Sequence, residues 1–232
     1  MSVYGKPDYW SLQAKTEGYP ARSVYKLQEM DARFGLFSGA SKASGGPVKV
    51  LDLGAAPGSW SLYARRHGAQ GRFILGVDIS PLSPHCSGEL FAGEGYGFLQ
   101  GDMTAAETRT AILAHAPFHL VLSDAAPGTS GNPGIDTLRS LVLAEAALEY
   151  ADLVLHKGGH FVVKVFQGGE APRLLKAIRE RFKTGRSFKP RACRRTSFET
   201  YYLGLGKKQA LPAALRQAAS FTRAPPDTHR GC

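Results

Sequence analysis

Three carboxylates and one amine stand in this sequence where chemistry can be done. Asp78, Asp102 and Asp124 each close a short apolar run, in RFILGVD, YGFLQGD and FHLVLSDAAPG, and Lys164 interrupts another, HFVVKVF. A carboxylate at the end of the strand that follows a glycine loop can accept hydrogen bonds from ribose hydroxyls, as nucleotide-binding α/β folds do. Asp78 lies about 20 residues past such a loop and takes that role; Asp102 can reach an adenine amino group across the same cleft. An ammonium inside an apolar strand is costly, and its pKa falls unless it is paired. Lys164 is therefore read as functional, the alternative being a core lysine capped by Asp124.

The loop is in VKVLDLGAAPGSW, Val48 to Trp60. Its pattern predicts a buried strand, a turn bearing Gly54 and Gly58, and a helix from about Ser59. Glycine permits close ligand approach, and the helix start offers unpaired N–H groups to an anion. The spacing Gly-x-x-x-Gly is neither the dinucleotide fingerprint nor the phosphate loop, so NAD and ATP both lose ground. Further strands are expected at 72–78, 96–99, 118–123, 160–166, 184–190 and 200–205, alternating with helices. In an open parallel sheet the ligand crevice lies beyond the carboxyl ends of the strands, so Gly54, Asp78, Asp102 and Asp124 converge on one rim. The fold class expected is α/β: a Rossmann-like, mostly parallel seven-stranded sheet with one antiparallel edge strand. The constellation fits a nucleoside-cofactor transferase. S-adenosyl-L-methionine fits best, its carboxylate at Gly54 to Ser59, its ribose at Asp78 and its adenine near Asp102. The chain has no Asn/Asp-Pro-Pro-Tyr motif, which argues against methylation of a base amino group.

The elements around the rim are less regular. Residues 1–19 interleave Tyr4, Tyr9, Trp10 and Tyr19 with lysines, an arrangement that either stacks on exposed bases or pins a surface helix. Ala21 to Phe34 reads as a helix with Val24, Leu27, Met30 and Phe34 on one face and Lys26 flanking it. Ser38–Pro47 and Pro81–Gly95 read as loops, and Gly158-Gly159 as the stop of a helix over 135–155. One domain is expected over 1–206, its first 47 residues facing RNA, with a basic tail at 207–232.

Charge is divided along the chain. The first 156 residues hold 12 basic and 15 acidic side chains; the remainder hold 17 and 4. One half of the molecule is thus prepared for a polyanion, RNA or DNA first and an anionic membrane surface second. Cys86, Cys193 and Cys232 show no zinc-ligand spacing, so a metal site and a disulfide framework are not expected. No stretch of roughly 18 apolar residues is present. The expectation is a cytoplasmic monomer that does not enter the membrane.

Six segments, ARSVYKLQEM, VLDLGAAPGSW, LQGD, LSDAAP, GGHFVVKVFQG and SFETYYLG, occur in this order. Together they resemble the FtsJ/RrmJ (RlmE) family of RNA ribose 2′-O-methyltransferases, over about residues 9 to 206. The resemblance implies a catalytic tetrad of Lys26, Asp124, Lys164 and Glu199. It also implies cofactor contacts at Gly58, Trp60, Asp78, Asp102 and Asp124, beside the Gly54 read from the loop. On this basis Lys164 accepts the proton of the ribose hydroxyl, Asp124 holds it, Lys26 holds the substrate oxygen or phosphate, and Glu199 orients the lysines. The substrate implied first is a uridine of large-subunit rRNA, with the tRNA anticodon loop as runner-up. The reading from another class is a catalytically idle RNA-binding, ribosome-assembly factor.

Overall fold

The computed structural model describes residues 8–45, 47–67, 73–128, 130–194 and 196–209. Seven strands form one sheet: β1 (Lys49–Leu53), β2 (Phe73–Asp78), β3 (Tyr96–Gln100), β4 (Phe118–Ser123), β5 (Leu155–Phe166), β6 (Phe182–Phe188) and β7 (Glu199–Lys207). Their order is β3-β2-β1-β4-β5-β7-β6. The first five are parallel, and β7 runs antiparallel to both β5 and β6. The expected antiparallel pair is at the edge; the reversed strand is β7, one place inside, and β6 is the margin.

Alternation along the strands builds two cores, because successive side chains point to opposite faces. Val50, Leu120, Leu122 and Val162 meet α2 (Val24–Phe34), α3 (Leu36–Ser44) and α4 (Ser59–His67) on one face. Leu51, Leu53, Val121, Phe161 and Val163 meet α6 (Ala106–Ala114), α7 (Pro133–Val154) and α8 (Ala171–Arg181) on the other. Each fully buried side chain of this size contributes roughly 1.5–3 kcal/mol. Among the described residues no helix is long and apolar enough to cross a membrane.

Four segments differ from the sequence reading. Ser38–Pro47 is largely helical: Leu36, Phe37 and Ala40 of α3 are buried, so tertiary packing overrides a glycine- and serine-rich composition. Gly39 belongs there because any side chain would strike the His160 ring of β5. Pro81–Gly95 contains α5 (Pro84–Leu90), capped by the Ser83 hydroxyl and anchored by buried Cys86 and Leu90. Gly158-Gly159 lies within β5, the helix having ended at Val154. Lys207, assigned to the tail, ends β7; its buried ammonium donates to the Ala151 and Asp152 carbonyls, both at 2.5 Å. Residues 210–232 lie outside the described residues.

The amino-terminal aromatics divide as well. Trp10, on α1 (Tyr9–Thr16), packs against Tyr25 at 5.0 Å, and Tyr19 is buried under the Arg66 guanidinium. Tyr9 keeps an exposed ring, while Tyr4 lies outside the described residues.

Candidate active site

The carboxyl ends of the strands open into two cavities. The larger, about 700 Å³, is bounded by Gly54, Asp78, Asp102, Asp124 and Lys164, with apolar walls from Ile79, Met103, Val142 and Leu143. The smaller, about 420 Å³, is bounded by Arg22, Lys26, Arg194 and Glu199. Ser23 lines both. The four tetrad residues are therefore shared between the cavities, two to each.

The loop after β1 is folded by its neighbours. Gly54 has φ of 76°, and its N–H donates to the Val77 carbonyl at 2.8 Å. A methyl group here would lie 2.5 Å from the Ala125 backbone. Gly54→Ala should therefore lose roughly 2–5 kcal/mol of stability, from the left-handed backbone and the overpacking together, and with it measurable cofactor affinity. Denaturant unfolding beside titration calorimetry checks this; a variant with wild-type midpoint and affinity would show that the loop yields freely.

The acids are placed unequally. One oxygen of Asp78 accepts from Ala56 N–H at 2.9 Å and the other from Ser80 N–H at 2.8 Å, so it shapes the loop as well as the cavity. Asp102 is exposed, and the N–H and hydroxyl of Thr104, both at 2.8 Å from Oδ1, hold its carboxyl below the ordinary range. Gly58 and Trp60 do not line the cavity. Gly58 faces the Cys86 sulfur, and the buried Trp60 indole donates to the Ser23 carbonyl at 2.8 Å. Beside it, the Ser59 hydroxyl bonds both the N–H and the carbonyl of Ala21, at 3.0 and 3.1 Å. The start of α4 thus fastens the segment that divides the two cavities.

Two ion pairs form the floor between them. Lys164 Nζ is 3.0 Å from Asp124 Oδ1 and also donates to the Asp124 carbonyl; Lys26 Nζ is 2.6 Å from Glu199 Oε1. The pairs are stitched together by Tyr201, whose hydroxyl lies 2.7 Å from Asp124 Oδ1 and also contacts Glu199 Oε1. Burial alone would raise the Asp124 carboxyl, but the Lys164 and Lys26 charges and the Tyr201 hydroxyl hold it below its ordinary value. Burial pulls Lys26 down, and the Asp124 and Glu199 carboxylates outweigh it, leaving the ammonium more basic than usual. Burial, followed by the same two carboxylates, pushes the Tyr201 phenol well up. The site is thus two cations and two anions around a neutral phenol. Cys193 Sγ lies 3.7 Å from Glu199 Oε1, and burial pushes its thiol up to about 12, so it stays protonated.

The profile of the FtsJ-like methyltransferase family matches residues 19–207, a span that contains all four charged residues of this floor. The chain belongs to that family. Among curated FtsJ-like relatives, the ribosomal RNA large subunit methyltransferase E of Treponema denticola is 48% identical over 206 residues, covering 88% of this chain and 97% of that one. The protein of the same name from Nitratidesulfovibrio vulgaris is 45% identical over 202 residues, covering 86% and 94%. A crystal structure of a ribosomal RNA methyltransferase from Plasmodium falciparum superposes with a TM-score of 0.63 at 23% identity, covering 82% of this chain and 98% of that one. That likeness bears on the fold.

Within the FtsJ-like frame, sequence reading overlooked Tyr201, Ser23 and Arg22. A signal existed for the first: Glu199 and Tyr201 are two apart on one strand and so share a face. The arginine gave none, since its ion pair with Asp8 and its bond to the Ala192 carbonyl join distant segments.

Proposed function

We propose that this methyltransferase transfers the methyl group of S-adenosylmethionine to a ribose 2′-hydroxyl of RNA, first a uridine of large-subunit rRNA. The observation that carries the reading is the division of one charged floor between two cavities. Asp124 and Lys164 face the larger, Lys26 and Glu199 the smaller, so a donor in one and an acceptor in the other meet over the lysines.

The larger cavity suits the cofactor. Carboxylates at Asp78 and Asp102 match ribose hydroxyls and an adenine amino group, and the walls between them are apolar. Once bound, the cofactor supplies a methyl group already activated on a sulfonium, which leaves as a neutral thioether. The protein's tasks are to remove a proton and to hold geometry. Lys164 accepts the 2′-hydroxyl proton after giving up its own, with Asp124 fixing its position through two contacts. Lys26 holds the acceptor oxygen or its phosphate, and Glu199 holds Lys26. Fixing both reactants is worth up to roughly 7–11 kcal/mol of the barrier. The names of the relatives support rRNA as the acceptor. This reading takes the chain through the end of β7 at Lys207 as the catalytic unit and the protein as a cytoplasmic monomer working beside its RNA.

The test is transfer of a tritiated methyl group to rRNA, tRNA and whole large subunits, followed by mapping of the modified nucleotide. Label at a 2′-oxygen of large-subunit rRNA is the expected result. Label confined to a tRNA anticodon loop would transfer the assignment to that substrate. Cofactor binding without transfer to any RNA would make the protein a binding factor.

A further inference from the structure

Three side chains in and just before α2 hold the connection between β6 and β7 and the start of β7. Lys26 and Glu29 are three apart on one helix face, and Arg22 stands in the turn before it. Arg22 donates to the Ala192 carbonyl, Lys26 pairs with Glu199, and Glu29 grips the backbone at 191–192. Its two oxygens accept from consecutive amides, Arg191 N–H at 2.8 Å and Ala192 N–H at 2.9 Å. No other carboxylate among the described residues holds this connection by its backbone. It lies in the most basic part of the chain, where Arg173 to Arg195 include 10 basic residues and one acid.

We propose that Glu29 is a positioning residue for the acceptor RNA: by holding the backbone at 191–192 it sets the shape of one wall of the smaller cavity. That wall consists of Ala192, Arg194, Thr196 and Ser197. The opposite wall is the 21–26 segment, fastened to α4 through Ser59 and Trp60. Both walls are packed, Ala192 and Cys193 lying in the core beneath the first; there the Lys189 ammonium holds the Ser197 carbonyl, Arg22 the Ala192 carbonyl, and Glu29 the two adjacent amides. Glu199 does not depend on Glu29, because β7 keeps Glu199 opposite Phe166 in the β5 ladder. Releasing Glu29 loosens the wall at Arg191 and Ala192 while leaving the Lys26–Glu199 and Lys164–Asp124 pairs in place. Hydrogen bonds to an ionised group are the stronger kind, and two on adjacent amides fix direction as well as distance. The inference rests on the smaller cavity being the acceptor side.

Glu29→Gln keeps the shape and one acceptor oxygen; Glu29→Ala keeps neither. The expected result is a graded rise in KM for RNA, roughly tenfold or more for E29A and less for E29Q, the range that loss of charge-assisted hydrogen bonds produces. The kcat should stay within about threefold, and cofactor affinity should be unchanged. Hydrogen exchange should quicken at the Arg191 and Ala192 amides and not in β1 or β4, which separates a loosened wall from a loosened fold. Faster exchange with an unaltered KM for RNA would overturn the proposal, as would equal exchange in all three proteins. Wild-type transfer to RNA, measured alongside, keeps the two readings apart. Wild-type inactivity on every RNA would count against the reaction assigned above, whereas an unmoved KM in an active series counts against Glu29 alone.

Discussion

Replacing Lys164 by alanine should lower methyl transfer by at least about 10³-fold while leaving cofactor affinity within a few-fold of wild type. The proton acceptor alone accounts for roughly 10² to 10⁴, and the loss also leaves Asp124 without its nearest cation. Asp124 keeps Lys26 and the Tyr201 hydroxyl nearby, so the stability penalty should fall below the roughly 3–5 kcal/mol of a fully broken buried pair. Lys164→Arg separates the two effects. A guanidinium restores the positive charge toward Asp124 but does not deprotonate, so this variant should regain stability and remain inactive. Single-turnover rates beside thermal unfolding decide the matter; turnover of K164A within tenfold of wild type would remove Lys164 from the role of base.

The second large effect concerns a group outside the reaction. Asp52, on β1 two residues before Gly54, is fully buried, and one of its oxygens accepts from the Ser61 hydroxyl at 2.7 Å. The other oxygen has no hydrogen-bond partner among the described residues. Burial first, and then the charges of Asp124 and Asp78, push its carboxyl up to about 7. An acid whose pKa is higher in the folded than in the unfolded chain binds more protons when folded, so stability falls as pH rises. The window opens near the ordinary carboxylate value of 3.8 and closes near 7. Across it the folded state should lose up to about 4 kcal/mol. Asp52→Asn removes the titration, and the difference between the two proteins should grow with pH and level off above 7. Denaturant unfolding from pH 5 to 9 measures it. Parallel curves would mean that Asp52 is ionised throughout, solvated by water that the side chains do not reveal.

Much of the architecture is readable in advance because the strands are short apolar runs and the acids mark their ends. Asp78, Asp102 and Asp124 needed only the rule that ligands lie beyond the carboxyl ends of parallel strands. Lys164 declared itself by breaking a buried run. Lys26 and Glu199 did not: taken singly they are a charged residue on a helix and another at a strand start, and only the resemblance, then the fold, paired them. Helices α3 and α5 were hidden by glycine, serine and proline, whose local preference is outweighed by burying Leu36, Phe37, Cys86 and Leu90. Trp60 came as a cofactor contact from the resemblance alone; what the fold adds is that its indole secures the backbone at Ser23.

The strand order also governs when the enzyme becomes whole during synthesis. The larger cavity is lined by nothing later than Lys164, although its Asp124 also takes the Tyr201 hydroxyl from β7. Glu199, Tyr201 and the wall at 192–197 come afterwards, and β7 must slip between β5 and an already translated β6. Until that insertion occurs, Lys26 waits at the other end of the chain without its partner. On the assignment proposed above, a nascent protein stalled before β7 would lack Glu199, Tyr201 and one wall of the smaller cavity, and with them its acceptor side.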